Sequence, residues 1–194
     1  MNYLGLIFLF VVLFFSLALL FWQLSLLFVS VYSVPTVYAF DRAIIDAYKL
    51  VDLKKDELVI DLGCGNAKSL IIAAKKFKAW GVGVEISPYC FLKSKWNVWR
   101  SGQSKNIKII FGDFKKAEKY LKKADVVYLY LLNKTLAKIE DWYFKSISKK
   151  TRTVVLSFQF RKHKPAKTSK TINLNRQTQL SLYKPLLDKK LNVK

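Results

Sequence analysis

Acidic side chains are scarce in this 194-residue chain, with 13 Asp and Glu against 34 Lys and Arg for a net charge of +21, and no Asp, Glu, Lys, Arg or His at all precedes Asp41. Two cysteines, Cys64 and Cys90, lie in no C-x-x-C pattern and there is one histidine, His163, so neither a zinc site nor a disulfide framework is suggested. Both are expected to be reduced residues of the core or of a turn. Arginine is rare too, confined to positions 42, 100, 152, 161 and 176, so the basic excess is nearly all lysine. A basic surface attracts phosphates without reading sequence. Lysine excess beside abundant Asn, Ile, Phe and Tyr also follows from an AT-rich genome, and nucleic acid is not the expected partner. The densest cluster, Arg161 to Lys164, is expected to be a solvated or lipid-facing loop, with His163 incidental to it.

Residues 4–34 are almost wholly apolar, with Ser16, Gln23, Ser25, Ser30 and Ser33 as the clearly polar side chains. A hydrocarbon core of about 30 Å needs about 20 helical residues, so one helix spans it with length to spare. No Gly, Pro, Asn or Asp interrupts the chain between Leu6 and Val34, so a hairpin of two helices is not expected. The rival reading is a cleaved signal peptide, but the run is about twice a typical apolar region of that kind and no basic segment precedes it. One transmembrane anchor over 1–34 is expected, with a single domain over 35–194. Since every Lys and Arg follows residue 40, the domain is expected on the cytoplasmic side of the membrane. Lysines facing anionic headgroups would contribute about 1 kcal/mol each near the surface.

Within that domain, an apolar strand closes on Asp61 and runs through Leu62-Gly63-Cys64-Gly65-Asn66-Ala67 into a helix. Glycines there permit backbone angles closed to other residues and let a ligand approach, while the helix start offers free N–H groups. Twenty residues past Gly65, a second short strand ends on Glu85, placed to accept both hydroxyls of a ribose. A dinucleotide fingerprint wants a third glycine three residues past Gly65, and Lys68 stands there. A carboxylate at position 61 would repel a pyrophosphate but attract an ammonium group. S-adenosyl-L-methionine therefore fits better than a nicotinamide dinucleotide.

The remaining pattern alternates strands near 58–62, 81–85, 107–111, 125–131 and 153–158 with helices near 69–78, 88–99, 115–122 and 135–148. That order predicts an α/β fold with a doubly wound, mostly parallel sheet and a ligand crevice at the carboxyl ends of its strands. Two further strands near 170–174 and 179–183, joined by 175–178, read as a closing antiparallel hairpin, with no room for a helix before them.

Asp61-Leu62-Gly63-Cys64-Gly65, the acidic end of the second strand at Glu85 and the turn Gly112-Asp113-Phe114 together resemble the class I, seven-β-strand S-adenosylmethionine-dependent methyltransferases, over roughly residues 40–160. The resemblance implies a Rossmann-like fold. It makes Asp61, Gly63, Cys64, Gly65, Glu85, Ile86, Asp113 and Phe114 the candidate cofactor contacts, with Asp113 meeting the adenine amino group. Read with the anchor, with Val34-Pro35-Thr36 and with residues 124–132, the chain looks like the small membrane-anchored lysine methyltransferases, among them mitochondrial enzymes acting on the ATP synthase c subunit and the adenine nucleotide translocase. That likeness implies methyl transfer to a lysine amine of a membrane or membrane-adjacent protein, with Pro35 and Thr36 near the cofactor. The chain departs from the family at Asn66-Ala67, where Asp-Gly is usual.

Methyl transfer from a sulfonium already has a good leaving group, so positioning and water exclusion are the main demands. The N-P-P-Y signature of nucleic-acid amino-methyltransferases is absent. Asn133, Tyr130 and Tyr128 are the candidates for holding an acceptor amine, against a plain reading as helix cap and core packing. Asp125 reads as structural. RNA, lipid or quinone methylation and a non-catalytic cofactor-binding module remain the alternatives.

Overall fold

The computed structural model describes residues 3–31 and 39–184. Its first element, α1 (Tyr3–Val31), is one unbroken helix whose residues 3–27 have a mean hydropathy of 3.0. Pro35 and Thr36, expected near the cofactor, lie outside the described residues. The domain then begins with α2 (Asp41–Leu50).

From there strands and helices alternate: β1 (Leu58–Leu62), α3 (Lys68–Phe77), β2 (Trp80–Glu85), α4 (Pro88–Arg100), β3 (Ile107–Phe111), a 3₁₀ turn (Phe114–Ala117) leading into α5 (Glu118–Leu121), β4 (Val126–Leu129), α6 (Asn133–Ser146) and β5 (Arg152–Leu156). The hairpin of β6 (Lys167–Asn173) and β7 (Arg176–Tyr183) closes the sheet, whose order is β3-β2-β1-β4-β5-β7-β6. The first five strands run parallel, and β7 lies antiparallel between β5 and β6. This is the mostly parallel α/β sheet with a C-terminal hairpin that the alternation predicts.

Side chains of successive strand residues point to opposite faces. Val59, Val126 and Tyr128 therefore pack with Ile44 and Tyr48 of α2 and Leu70 of α3, while Ile60, Leu62, Val127 and Leu129 pack with Leu121 of α5 and with Leu136, Ile139 and Tyr143 of α6. Asp61 falls between Ile60 and Leu62 and so faces α2 and α3. Asp125 is structural, accepting the Leu58 N–H at 2.8 Å where β1 and β4 begin.

Several expected boundaries move, three of them with a local cause. The fourth strand leaves the ladder at Leu129, paired with Val155, rather than at 131, which frees Tyr130 to turn toward the strand end. The helix expected over 115–122 divides, because the Asp113 carboxylate accepts the Lys115 N–H and tightens the first turn to 3₁₀. The closing hairpin is longer than expected and turns on two residues, Leu174 (φ 51°) and Asn175 (φ 58°), both left-handed as a tight hairpin requires. Its outer ends are polar and exposed, so hydropathy gave no signal for strand there.

Candidate functional site

The crevice lies at the carboxyl ends of β1, β2, β3 and β4. At its centre, Gly63 (φ 80°) and Gly65 (φ 54°) take left-handed angles, and the Gly63 and Cys64 N–H groups both donate to the Val84 carbonyl at 2.8 and 3.1 Å. The turn is thereby tied down onto β2. A Cβ at Gly83 would come within 2.6 Å of the Cys64 sulfur, so β2 needs a glycine where the turn rests on it. Ala67, where the family pattern has glycine, also sits at φ 62°, and its N–H closes the turn on the Cys64 carbonyl at 2.8 Å. Asn66 replaces the missing helix cap by accepting the Lys68 N–H.

Glu85 ends β2 with its carboxylate held over this turn, Oε2 accepting the Gly65 N–H and Oε1 the Ser87 N–H, each at 2.8 Å. Burial raises its pKa, while the N–H groups of Ser87, Gly65 and Ile86 pull the other way. Asp61 lies beneath the turn and accepts a hydrogen bond from the Ser69 hydroxyl on α3. Its pKa is pushed from 3.8 up to about 7, first by burial and further by the Glu85 charge, with the Ser69 bond opposing. Two buried carboxyl groups that repel each other form a site that a cationic ligand relieves.

On the third strand, Gly112 (φ 135°) turns the chain out of the sheet. Asp113 is exposed at that turn, and Phe114 reaches back so that its ring would lie 3.8 Å from a Cβ at Gly63. Asp61, Gly63, Cys64, Gly65, Glu85, Ile86, Asp113 and Phe114 thus fall on three neighbouring strand ends, in the order the sequence spacing requires.

The three acceptor-side candidates separate. Tyr130 stands just past the end of β4 and its hydroxyl accepts from Asn173 Nδ2 at 3.1 Å. Tyr128 lies inside the strand, 3% exposed and opposite Asp61, with its ring 5.8 Å from that of Tyr48. The hydroxyls of Tyr48 and Tyr128 are buried without a hydrogen-bond partner among the described residues. Burial and the Asp61 charge raise both pKa values, so each stays a neutral phenol. Asn133 is the exposed first residue of α6 and does not cap it, since the cap position belongs to Leu132.

Asn173 itself is 4% exposed, and its Oδ1 accepts the Phe40 N–H at 2.8 Å. One amide therefore joins the hairpin, the end of β4 and the entry to α2. A bond across 133 residues leaves no local signal, and the sequence reading missed it. A second unforeseen contact pins the same entry: Lys68 Nζ pairs with Asp41 at 2.6 Å and approaches the Ala39 carbonyl at 3.4 Å. The loop around Arg161 and His163 keeps Arg161, Lys162 and Lys164 exposed, but its backbone is tied to the domain and His163 is not incidental to it. It wraps the buried Glu140 carboxylate, which accepts the N–H groups of Arg161, Lys162 and His163 and contacts His163 Nδ1 at 2.9 Å. Burial favours the neutral acid, yet the His163 bond and those N–H groups bring Glu140 below its usual pKa.

The residues present fit an adenosylmethionine moiety. Each Glu85 oxygen already bonded to one N–H keeps a lone pair for a ribose hydroxyl, and the Gly63 face is free of a Cβ that would approach Leu131 to 3.1 Å. The paired carboxyl groups suit an ammonium and a sulfonium.

Comparison with known proteins agrees. Residues 61–167 match the family model described as the ANTKMT methyltransferase domain. A protein-lysine N-methyltransferase of Saccharolobus islandicus (strain REY15A) is 27% identical over 151 residues, which are 77% of this chain and 92% of that protein. The crystal structure of an RNA methyltransferase from Salinibacter ruber, in complex with S-adenosyl-L-homocysteine, superposes with a TM-score of 0.71 at 25% identity, covering 81% of this chain and 99% of that one. The Bacillus subtilis M1A22 tRNA methyltransferase TrmK shares the fold alone, with a TM-score of 0.61 at 16% identity over 74% of this chain and 65% of that one. With a family model covering more than half of the sequence and the fold and crevice agreeing, the chain belongs to the ANTKMT methyltransferase domain family, and it is a class I methyltransferase with S-adenosylmethionine as its cofactor.

Proposed function

We infer that this protein transfers a methyl group to the ε-amine of a lysine in a membrane or membrane-adjacent protein, while anchored by α1 with its domain on the cytoplasmic side. Glu85 would accept the ribose hydroxyls, Asp61 would attract the ammonium group, and Asp113 with Phe114 would receive the adenine. When bound, the cofactor supplies an electrophilic methyl on a sulfonium whose sulfur takes the C–S electron pair as the amine attacks. The chain's own work is to hold the amine in line and dry.

One observation carries the acceptor assignment, the Asn173 clamp on Tyr130. Because Asn173 Nδ2 donates to the Tyr130 hydroxyl, that oxygen keeps one lone pair and one proton for an acceptor at the end of β4. An N–H of a neutral amine can be held by that lone pair, leaving the amine's own pair for the methyl group. The product ammonium then loses its proton to solvent. The 27% identity to a protein-lysine N-methyltransferase over 92% of its length supports lysine, and the apolar helix of residues 3–27 supports an acceptor at the membrane. The Salinibacter ruber neighbour makes RNA the competing acceptor.

The test is to incubate the full chain, in lipid nanodiscs, with methyl-labelled cofactor and either membrane protein or total RNA. Label recovered as methyllysine after acid hydrolysis supports the assignment. Label in nucleoside or lipid, with none in lysine, overturns it.

A further inference from the structure

The outer face of α4 is unlike the exposed face of an ordinary surface helix. At about 100° per residue, Cys90, Ser94 and Val98 share the side turned to the sheet, and all three are buried. The opposite side should carry the polar residues of an amphipathic helix. It carries Tyr89, Leu92, Trp96 and Trp99 instead, exposed by 44, 54, 57 and 63%. Charge is displaced to the borders of this stripe, with Lys95 along one side and Lys93 and Arg100 along the other. An aromatic centre with basic flanks is the arrangement of a helix lying in a membrane interface, where indole and phenol rings settle at headgroup level and lysines reach the phosphates.

Continuity with α1 selects the bilayer over another occupant. Ser25 sits two residues before the end of the apolar span, is 4% exposed, and accepts the Tyr89 N–H at 3.3 Å, with its oxygen 3.4 Å from the Ser87 hydroxyl. The aromatic stripe therefore starts where the membrane-crossing helix touches the domain, at the level where that span ends. The net charge of +21 suits anionic headgroups.

We propose that α4 is a second membrane contact, its Tyr89, Leu92, Trp96 and Trp99 face lying in the interface of a bilayer containing anionic lipid. This rests on α1 being a membrane anchor. The contact lies directly behind Glu85, since Ser87 both caps α4 and donates its N–H to that carboxylate. The crevice is thereby held against the membrane surface rather than swinging below it on a tether.

The five tryptophans supply the test. Full-length chains retaining only Trp22, only Trp99 or only Trp80, with the others changed to Phe, are placed in nanodiscs with brominated acyl chains, with and without phosphatidylglycerol. Trp22 reports the anchor, Trp99 the proposed contact, and Trp80 an exposed residue at the opposite end of β2. The expected result is loss of emission from Trp22 and Trp99 but not Trp80, with the Trp99 loss greater when phosphatidylglycerol is present. Quenching of Trp22 with an unquenched Trp99 overturns the α4 contact and leaves the anchor standing. An unquenched Trp22 overturns both. Trp99 shielded from bromolipid and from aqueous acrylamide alike means that protein covers α4, which also overturns the proposal. The single substitution Trp99→Phe repeats the reading with the other four tryptophans in place, the quenching it removes being the Trp99 share, and unchanged quenching in that variant overturns the proposal.

Discussion

At Asp61, folding and ligand binding make opposite demands on one carboxyl group. Its folded pKa of about 7 lies above the 3.8 of an ordinary aspartate, so between those values the folded chain holds a proton that the unfolded chain has lost. Stability therefore falls as pH rises through that window and levels off above it. Asp61→Asn is expected to flatten most of the decline, Glu85 supplying the remainder with the same sign, and urea midpoints across the range measure it. Cofactor binding runs the other way, because an ammonium favours the carboxylate. Near about pH 6, binding to the native chain should release a proton that Asp61→Asn does not, which calorimetry in buffers of different ionisation enthalpy reads directly. At Ala67 the left-handed backbone is a local cost, and Ala67→Gly is expected to raise stability by about 1 kcal/mol with the turn unchanged.

Among the elements, β2 and the β6–β7 hairpin shape the site most. Gly83→Ala pushes a methyl group into Cys64, and the expected outcome is a loss of about 1–3 kcal/mol together with weaker cofactor binding as the turn lifts. Asn173 acts from the hairpin as a positioning residue. Asn173→Ala should lower kcat about tenfold, roughly 1.4 kcal/mol, with cofactor affinity unchanged. Asn173→Asp keeps the acceptor for Phe40 but loses the donor to Tyr130, so it should share the kcat defect while retaining more of the stability. These two elements also mark how far the sequence could be read. The strand, glycine turn, helix start and acidic strand ends follow from local backbone demands, and all lie within short spans, so Asp61, Gly63, Gly65, Glu85 and Asp113 could be placed in order. The Asn173 clamp, the Lys68–Asp41 pair and the Glu140 loop join distant segments of ordinary polar composition, where neither period nor spacing carries information. Tyr128 and Tyr130 look equivalent in sequence, and only the end of the β4 ladder at Leu129 separates a buried phenol from one at the crevice.

For the whole molecule, geometry and charge act together. Two buried carboxyl groups with raised pKa values are enclosed in a chain of net charge +21, so the crevice suits a cationic ligand while the exterior charge suits anionic surfaces. With the enzyme in nanodiscs containing anionic lipid, methylation of a lysine in a co-reconstituted membrane protein should exceed that of the same sequence as a free peptide. Added salt should narrow the difference by screening the lysines without disturbing the buried carboxyl groups. A membrane acceptor that gains nothing over the peptide would remove the anchored reading from the function.

The bond between Asn173 and Phe40 also orders events during synthesis. Phe40 follows the first helix and is made early, whereas its partner is added 133 residues later, after every strand of the cofactor crevice. A nascent chain can therefore seat its first helix and shape its crevice while Tyr130 is still unclamped. The contact that positions Tyr130 is thus the last part of the site to be supplied, because the hairpin follows every strand of the crevice along the chain.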